Sequence, residues 1–271
     1  MKNLRKRLAC LLLSALLLIG CLPVTALAAE NGFILVAEAG GKLVIAPEYI
    51  SCTSGQTAAQ ALSASGHTFT GLDTGMISAI DGVTGNFTRS DENGNYDLSV
   101  SAASIGYLRF SEDMDSKPSD GLKQLMTAMA DYKKKGSDVQ AAAKKEYDTA
   151  SDLFVGINSE SAKTLASNLN DAVRNYENTL TGEHYAVRFT DGSAAYSDVN
   201  YHGVSITAVN AYGKQWTDDG DGVLELPKGD YTFCVEQAGL RVEGKITVSA
   251  AATVSAELPQ SEWLITDTFR I

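Results

Sequence analysis

Thr217-Asp-Asp-Gly-Asp-Gly-Val-Leu-Glu-Leu-Pro-Lys-Gly-Asp-Tyr-Thr-Phe233 is the stretch on which the fold of the chain's last third turns. Val223 to Leu226 has the alternation of a half-buried strand, and Pro227-Lys228-Gly229 interrupts that strand and reverses the chain. Tyr231 and Phe233, two apart, then return to one face of the next strand. Asp218 to Gly222, ahead of both strands, is a run of turn residues and reads as a polar hairpin turn. Further short apolar runs lie on either side: Val187 to Phe189, Val204 to Val209, Val242 to Val248 and Thr253 to Leu258. Six or so short strands with turns between them predict a β-sandwich over 184–260.

Moving towards the amino terminus, the period changes from two to 3.6. Leu122, Leu125, Met126, Met129 and Tyr132 follow helical spacing until Gly136. Ser137 is the expected cap of a second helix, with Val139, Ala142, Ala143, Tyr147, Ala150 and Phe154 on its apolar face up to Gly156. Asn158 or Ser159 caps a third, on which Ala162, Leu165, Ala166, Leu169, Ala172, Val173, Tyr176 and Leu180 repeat. Three amphipathic helices with short connections predict a bundle over 116–183, its Met and Tyr stripe forming core.

The segment 29–115 mixes strands with one helix. Phe33 to Ala39 and Lys42 to Ala46 flank the hairpin signal Gly40-Gly41. Thr57 to Ser65 is helical with Gly66 as its stop. Strands are expected at Met76–Ile80, 86–89, 96–100 and 105–110, with turns at Asp81-Gly82 and Asp91 to Asn95.

Three resemblances accompany these patterns. The first segment resembles a family of exported β-grasp-like domains related to the carboxy-terminal domain of cobalamin carriers, through Ile80-Asp81-Gly82 after the helix. It lacks that family's Gly-Trp motif, so a structural or protein-binding module is expected, not a corrinoid carrier, and no cofactor is assigned. The helices resemble three-helix spacer modules of Gram-positive surface proteins. The Thr217 to Phe233 stretch resembles the signature of prealbumin-like surface domains, including Cna-B-type stalk repeats. Many Cna-B-type domains contain a Lys-Asn isopeptide bond promoted by a Glu four residues after the Tyr. Here that position is Val235, and Glu236 falls on the opposite face from Tyr231, so no such bond is expected. Loss of one water from the intact mass would overturn that.

The first 28 residues assign a compartment. Lys2, Arg5, Lys6 and Arg7 precede the apolar run Leu8 to Ile19, and Ala26-Leu27-Ala28 is a small-x-small cleavage signal, which favours a signal peptide over 1–28 cut after Ala28. The alternative is lipidation at Cys21, the end of a lipobox-like Leu18-Ile19-Gly20-Cys21. A secreted or cell-surface location follows from either, with any membrane contact made through leader or lipid. Cleavage removes four cations, taking the formal charge of -11 to about -15. Phosphate backbones repel such a chain, and no basic stripe interleaved with aromatics is present, so nucleic acid is not an expected partner. Two cysteines lie in the leader; Cys52 and Cys234 remain, in different modules, and read as buried free thiols.

Chemistry-bearing motifs are sparse. His67, His184 and His202 stand alone in sequence, and no metal-ligand spacing, nucleophile elbow or P-loop occurs, so no catalytic residues are assigned. Asp218, Asp219 and Asp221 form a weak calcium candidate. The EF-hand match fails, since Thr217 falls in the first ligand position and Lys228 where the bidentate Glu belongs. Tyr196, Tyr201, Tyr212 and Trp216 gather near the early sandwich loops as exposed aromatics on which sugar rings could stack. Leu258-Pro259-Gln260-Ser261-Glu262 lacks the Thr-Gly of a sortase motif, and the tail 261–271 reads as the start of a further domain. The expected protein is a clostridial-type modular surface protein without enzymatic activity, binding a host or matrix protein or a glycan. The alternative is a lipid-anchored accessory protein for a small ligand or substrate, with an enzyme third.

Overall fold

A computed structural model describes residues 31–91, 97–112, 117–192, 194–197 and 203–259. It is mixed α/β and mostly strand, with four sheets and four α-helices among the described residues. The chain divides into two compact units, 1–119 and 120–271. The leader with Ala28 and Cys21, the Asn93-Gly94 turn, Tyr201, His202 and the 261–271 tail lie outside the described residues.

In the first unit, β1 (Gly32–Ala39) and β2 (Lys42–Ser51) form the expected hairpin, with Gly40 and Gly41 at positive φ of 57° and 72° in its turn. Helix α1 (Ala58–Ser63) starts with a capping box: Thr57 Oγ1 accepts from Gln60 N, and Gln60 Oε1 accepts from Thr57 N. It ends two residues before the expected Ser65, with left-handed Gly66 just beyond its cap at Ala64. The short β3 (Phe69–Thr70), β4 (Ala79–Ile80) and β5 (Val83–Thr84) make a three-stranded sheet. β6 (Thr88–Asp91) and β7 (Tyr107–Ser111) complete a larger one in the order β2-β1-β7-β6, where β1 and β7 run parallel. Phe33, Leu35, Leu108 and Phe110 from the two central strands share one core with Ala58, Ala61 and Leu62 of α1.

Two expected strands are corrected. Of Met76–Ile80 only Ala79 and Ile80 are strand, and Met76 is 78% exposed. Residues 97–100 form a turn, because the Asp97 carboxylate accepts from both the backbone N and the hydroxyl of Ser99 and so competes with a ladder.

The second unit opens with α2 (Asp120–Lys133), α3 (Ser137–Asp152) and α4 (Ser159–Leu180). The predicted stripe of α2, Leu122, Leu125, Met126, Met129 and Tyr132, is buried throughout. Asn158 caps α4 as expected, its Oδ1 accepting from Ser161 N at 2.9 Å. Ser137 does not cap α3; that position belongs to Gly136, with no side-chain bond. Gly121 lies so close to the start of α4 that its N–H donates to Ser159 Oγ at 3.1 Å.

Eight strands follow: β8 (His184–Asp191), β9 (Ala194–Ala195), β10 (Ser205–Asn210), β11 (Gln215–Thr217), β12 (Val223–Pro227), β13 (Gly229–Gln237), β14 (Leu240–Val248) and β15 (Ala252–Ser255). They form two sheets, β11-β10-β13-β14 and β12-β8-β15, with β9 pairing on β8. Val187, Phe189 and Leu224 of one sheet and Ile206, Phe233 and Val235 of the other belong to one hydrophobic core. Along β13 the alternation is as expected: Tyr231, Phe233 and Val235 are buried and Glu236 is exposed. The 218–222 run differs from expectation. It is not a hairpin turn, because β11 and β12 lie in different sheets. Asp218 N donates to Ile206 O and Gly222 O accepts from Phe189 N, so the loop is tied to both sheets. Pro227-Lys228-Gly229 crosses back, and the Tyr231 hydroxyl fixes that crossing by donating to Pro227 O at 2.8 Å.

Candidate functional site

The β10–β11 hairpin carries Tyr212, the most exposed aromatic among the described residues of the second unit. Asn210 ends β10, and its Oδ1 accepts from the backbone N–H of Tyr212 and of Lys214, at 2.9 and 3.0 Å, which closes the turn around left-handed Gly213. The same side chain reaches the helices: Asn210 Nδ2 donates to the Tyr176 hydroxyl at 2.9 Å, and that hydroxyl donates to Asp138 Oδ2 at 3.3 Å. A chain of polar contacts thus links α3, α4 and the hairpin tip. Burial raises the Tyr176 pKa, against the hydrogen bond from Asn210, and the nearby Asp138 carboxylate adds to the rise. Tyr212 sets its ring edge-on to Tyr176 with centroids 5.0 Å apart, and it is 43% exposed.

Tyr212 borders a cleft of about 450 Å³ that α4, the hairpin tip and the Pro227–Tyr231 crossing enclose. This volume is in the range of small-ligand sites, about 300–1,000 Å³. Asn175 and Thr179 line it from α4, and Lys228 and Asp230 from the crossing. Tyr231, which also lines it, belongs to the core, its pKa pushed up to about 12 by burial.

Of the other aromatics expected to be exposed, Tyr201 lies outside the described residues and the remaining two are more covered than Tyr212. Tyr196 is only 4% exposed: it packs in the core and its hydroxyl donates to Ala256 O, so it is corrected from a surface to a core residue. Trp216 is half-buried against Tyr231, with centroids 5.3 Å apart at 84°.

Asp218, Asp219 and Asp221 do converge, with one oxygen from each within 4.8 Å of the others. Two of them serve the loop itself: Asp218 Oδ1 accepts from Asp221 N and Asp221 Oδ1 from Val223 N. Burial raises the pKa of Asp218, and the neighbouring Asp221 contributes to the rise.

One cluster escaped the sequence reading. His67 does not stand alone: Nδ1 lies 2.6 Å from Asp81 Oδ2 and Nε2 lies 2.5 Å from Glu48 Oε1. Asp81, at φ 48° in the Ile80-Asp81-Gly82 turn, also accepts from Thr68 N and Oγ1. The partners are 14 and 19 residues from His67, so only the packing of β2 against the turn brings them together. Burial opposes the imidazolium, but the bonds and charges of Glu48 and Asp81 outweigh it and raise the His67 pKa. A raised folded pKa gives stability that is complete below the ordinary imidazole value of about 6.5 and is lost as pH rises through the folded value. The Asp81 pKa is lowered, despite partial burial, by its bonds from Thr68 and His67, so its contribution is lost only in acid. The first unit is therefore expected to melt at a lower temperature at pH 9 than at pH 6, and His67→Gln to flatten that dependence. An unchanged slope in the variant would discount the clasp. With both ring nitrogens engaged, His67 is a structural clasp, not a free base.

His184 is exposed on β8. Cys52 and Cys234 are free but half-buried, a correction to the expected full burial. No helix among the described residues is long and apolar enough to cross a membrane. No protein-family model matches this chain, and comparison with curated proteins and with solved structures returns no match.

Proposed function

We propose that this chain is an exported, non-enzymatic modular protein of a Gram-positive cell surface that serves adhesion to a matrix protein or glycan. On this reading a β-grasp-like domain, a three-helix spacer and a prealbumin-like sandwich follow one another after the leader. The sheet order β2-β1-β7-β6 with a parallel centre supports the first, and two sheets over one core, with Tyr231 pinned to Pro227, support the last. The observation that carries the function is the cleft bordered by Tyr212. It pairs an exposed aromatic ring with amide, hydroxyl and charged groups on a rigid frame, the composition of a recognition site rather than of a reaction centre. An array of matrix proteins and glycans probed with the secreted chain tests it: binding to at least one macromolecule is expected. Retention of a small cofactor alone, with no macromolecular partner, would favour a lipid-anchored small-ligand carrier instead.

A further inference from the structure

We infer that the Tyr212 cleft takes a neutral hexose-type sugar at the end of a glycan; this rests on the adhesion reading above and names its ligand class. A pyranose presents an apolar C–H face and a rim of hydroxyls, so it needs an exposed aromatic and flanking donors and acceptors. Tyr212 supplies the aromatic, and its own hydroxyl is free of any hydrogen bond among the described residues. Asn175 and Thr179 lie one turn apart on α4 and face the cleft; the Asn175 amide makes no side-chain bond among the described residues, while the Thr179 hydroxyl donates to Asn175 O and keeps acceptor capacity. Across from them, Asp230 accepts from Thr247 Oγ1 through Oδ1 alone, which leaves a second oxygen for sugar hydroxyls.

Charge selects the neutral class. The charged residues that line the cleft itself are Lys228 and Asp230, one of each sign, while Lys245 lines the adjoining concavity, which shares Asp230. The site thus lacks the surplus of cations that binds sialylated or sulfated sugars, and the chain's formal charge of -11 repels them at long range. That adjoining concavity, of about 400 Å³, shares Asn210, Asp230 and Tyr231 with the cleft, so a second sugar unit fits beside the first. The frame is preorganised, since Asn210 bonds both the hairpin turn and Tyr176, and Tyr176 bonds Asp138 of α3, which holds Tyr212 in place before any ligand arrives.

The test is an array of galactose-, glucose- and N-acetylglucosamine-terminated oligosaccharides with their sialylated and sulfated counterparts, followed by titration of the best neutral ligand. The full secreted chain is compared with Tyr212→Ala and Asn175→Leu. Neutral sugars are expected to bind, with little dependence on salt, and each variant to lose about tenfold in affinity or more while keeping the parent's circular-dichroism spectrum. Preference for the anionic sugars, or unchanged affinity in both variants, overturns the inference while adhesion stands. Binding to a matrix protein without any sugar does the same. No macromolecular partner of either kind overturns both.

Discussion

Gly121→Ala is expected to lower the stability of the second unit by about 1–3 kcal/mol, the scale at which an overpacked contact forces backbone to move. A Cβ at position 121 would lie 1.9 Å from the carbonyl oxygen of Ser159 and 2.7 Å from its carbon. Both atoms are backbone at the start of α4, so no side-chain rotation relieves the clash, and α2 must withdraw from α4. Withdrawal breaks the bond from Gly121 N to Ser159 Oγ and loosens the packing of Leu122 and Leu125. Alanine's better helix propensity, worth at most about 1 kcal/mol, offsets only part of this. Ser159→Ala separates the two effects, since it removes the hydroxyl and leaves the carbonyl; it is expected to cost about 1 kcal/mol. Thermal unfolding followed by circular dichroism reads both, and a Gly121→Ala protein as stable as the parent would refute the close approach.

Phe189→Ala is expected to cost about 3–5 kcal/mol, the usual range for deleting a buried phenylalanine. Phe189 is fully buried on β8, and its ring meets that of Phe233 edge-on with centroids 5.2 Å apart. Those residues stand on different sheets, so the pair is a direct link between them. Its removal leaves a void between two backbones that cannot close without sliding one sheet over the other. Gly244 sharpens the point. It pairs with Phe233 across β13 and β14, and a Cβ there would come within 2.4 Å of the Phe233 ring. The absent side chain on one strand gives the neighbouring ring its place, so the site is filled from one side and cannot be refilled from another. Hydrogen exchange should show protection lost along β8, β10 and β13 together; loss confined to β8 would mean that the two sheets do not share one core.

What the sequence made legible, and what it hid, follows from the range of the interactions. Helices α2 and α4 were readable because their apolar faces repeat along one segment, and the β1–β2 hairpin because Gly40-Gly41 acts locally. Strand alternation along β13 also placed Glu236 outside correctly. Misreadings arose where a local side-chain bond or a distant partner decided. Asp97 turned an expected strand into a turn, and Tyr196, in a polar surrounding from Asp191 to Ser197, was drawn into the core by Ala256. The 218–222 loop looked like a hairpin because turn residues do not announce which sheet the next strand joins. For the candidate site, Tyr212 was legible as an aromatic near a turn. Its companions Asn175, Thr179, Lys228 and Asp230 come from a helix and a sheet crossing that no spacing connects. The His67 clasp was hidden for the same reason.

The parallel pairing of β1 with β7 sets an order of events in folding. The β1–β2 hairpin can close as soon as residue 51 is available, yet Ile34 meets Tyr107 only after the whole intervening chain has been made. Until then the free edge of β1 offers its ladder to any strand nearby. Long-range pairings of this kind are slow, so the first unit commits late. On the proposed reading of an exported chain, that delay is useful: residues 32–51 hold only a hairpin while the rest is delivered, and β7 locks the sheet when it arrives.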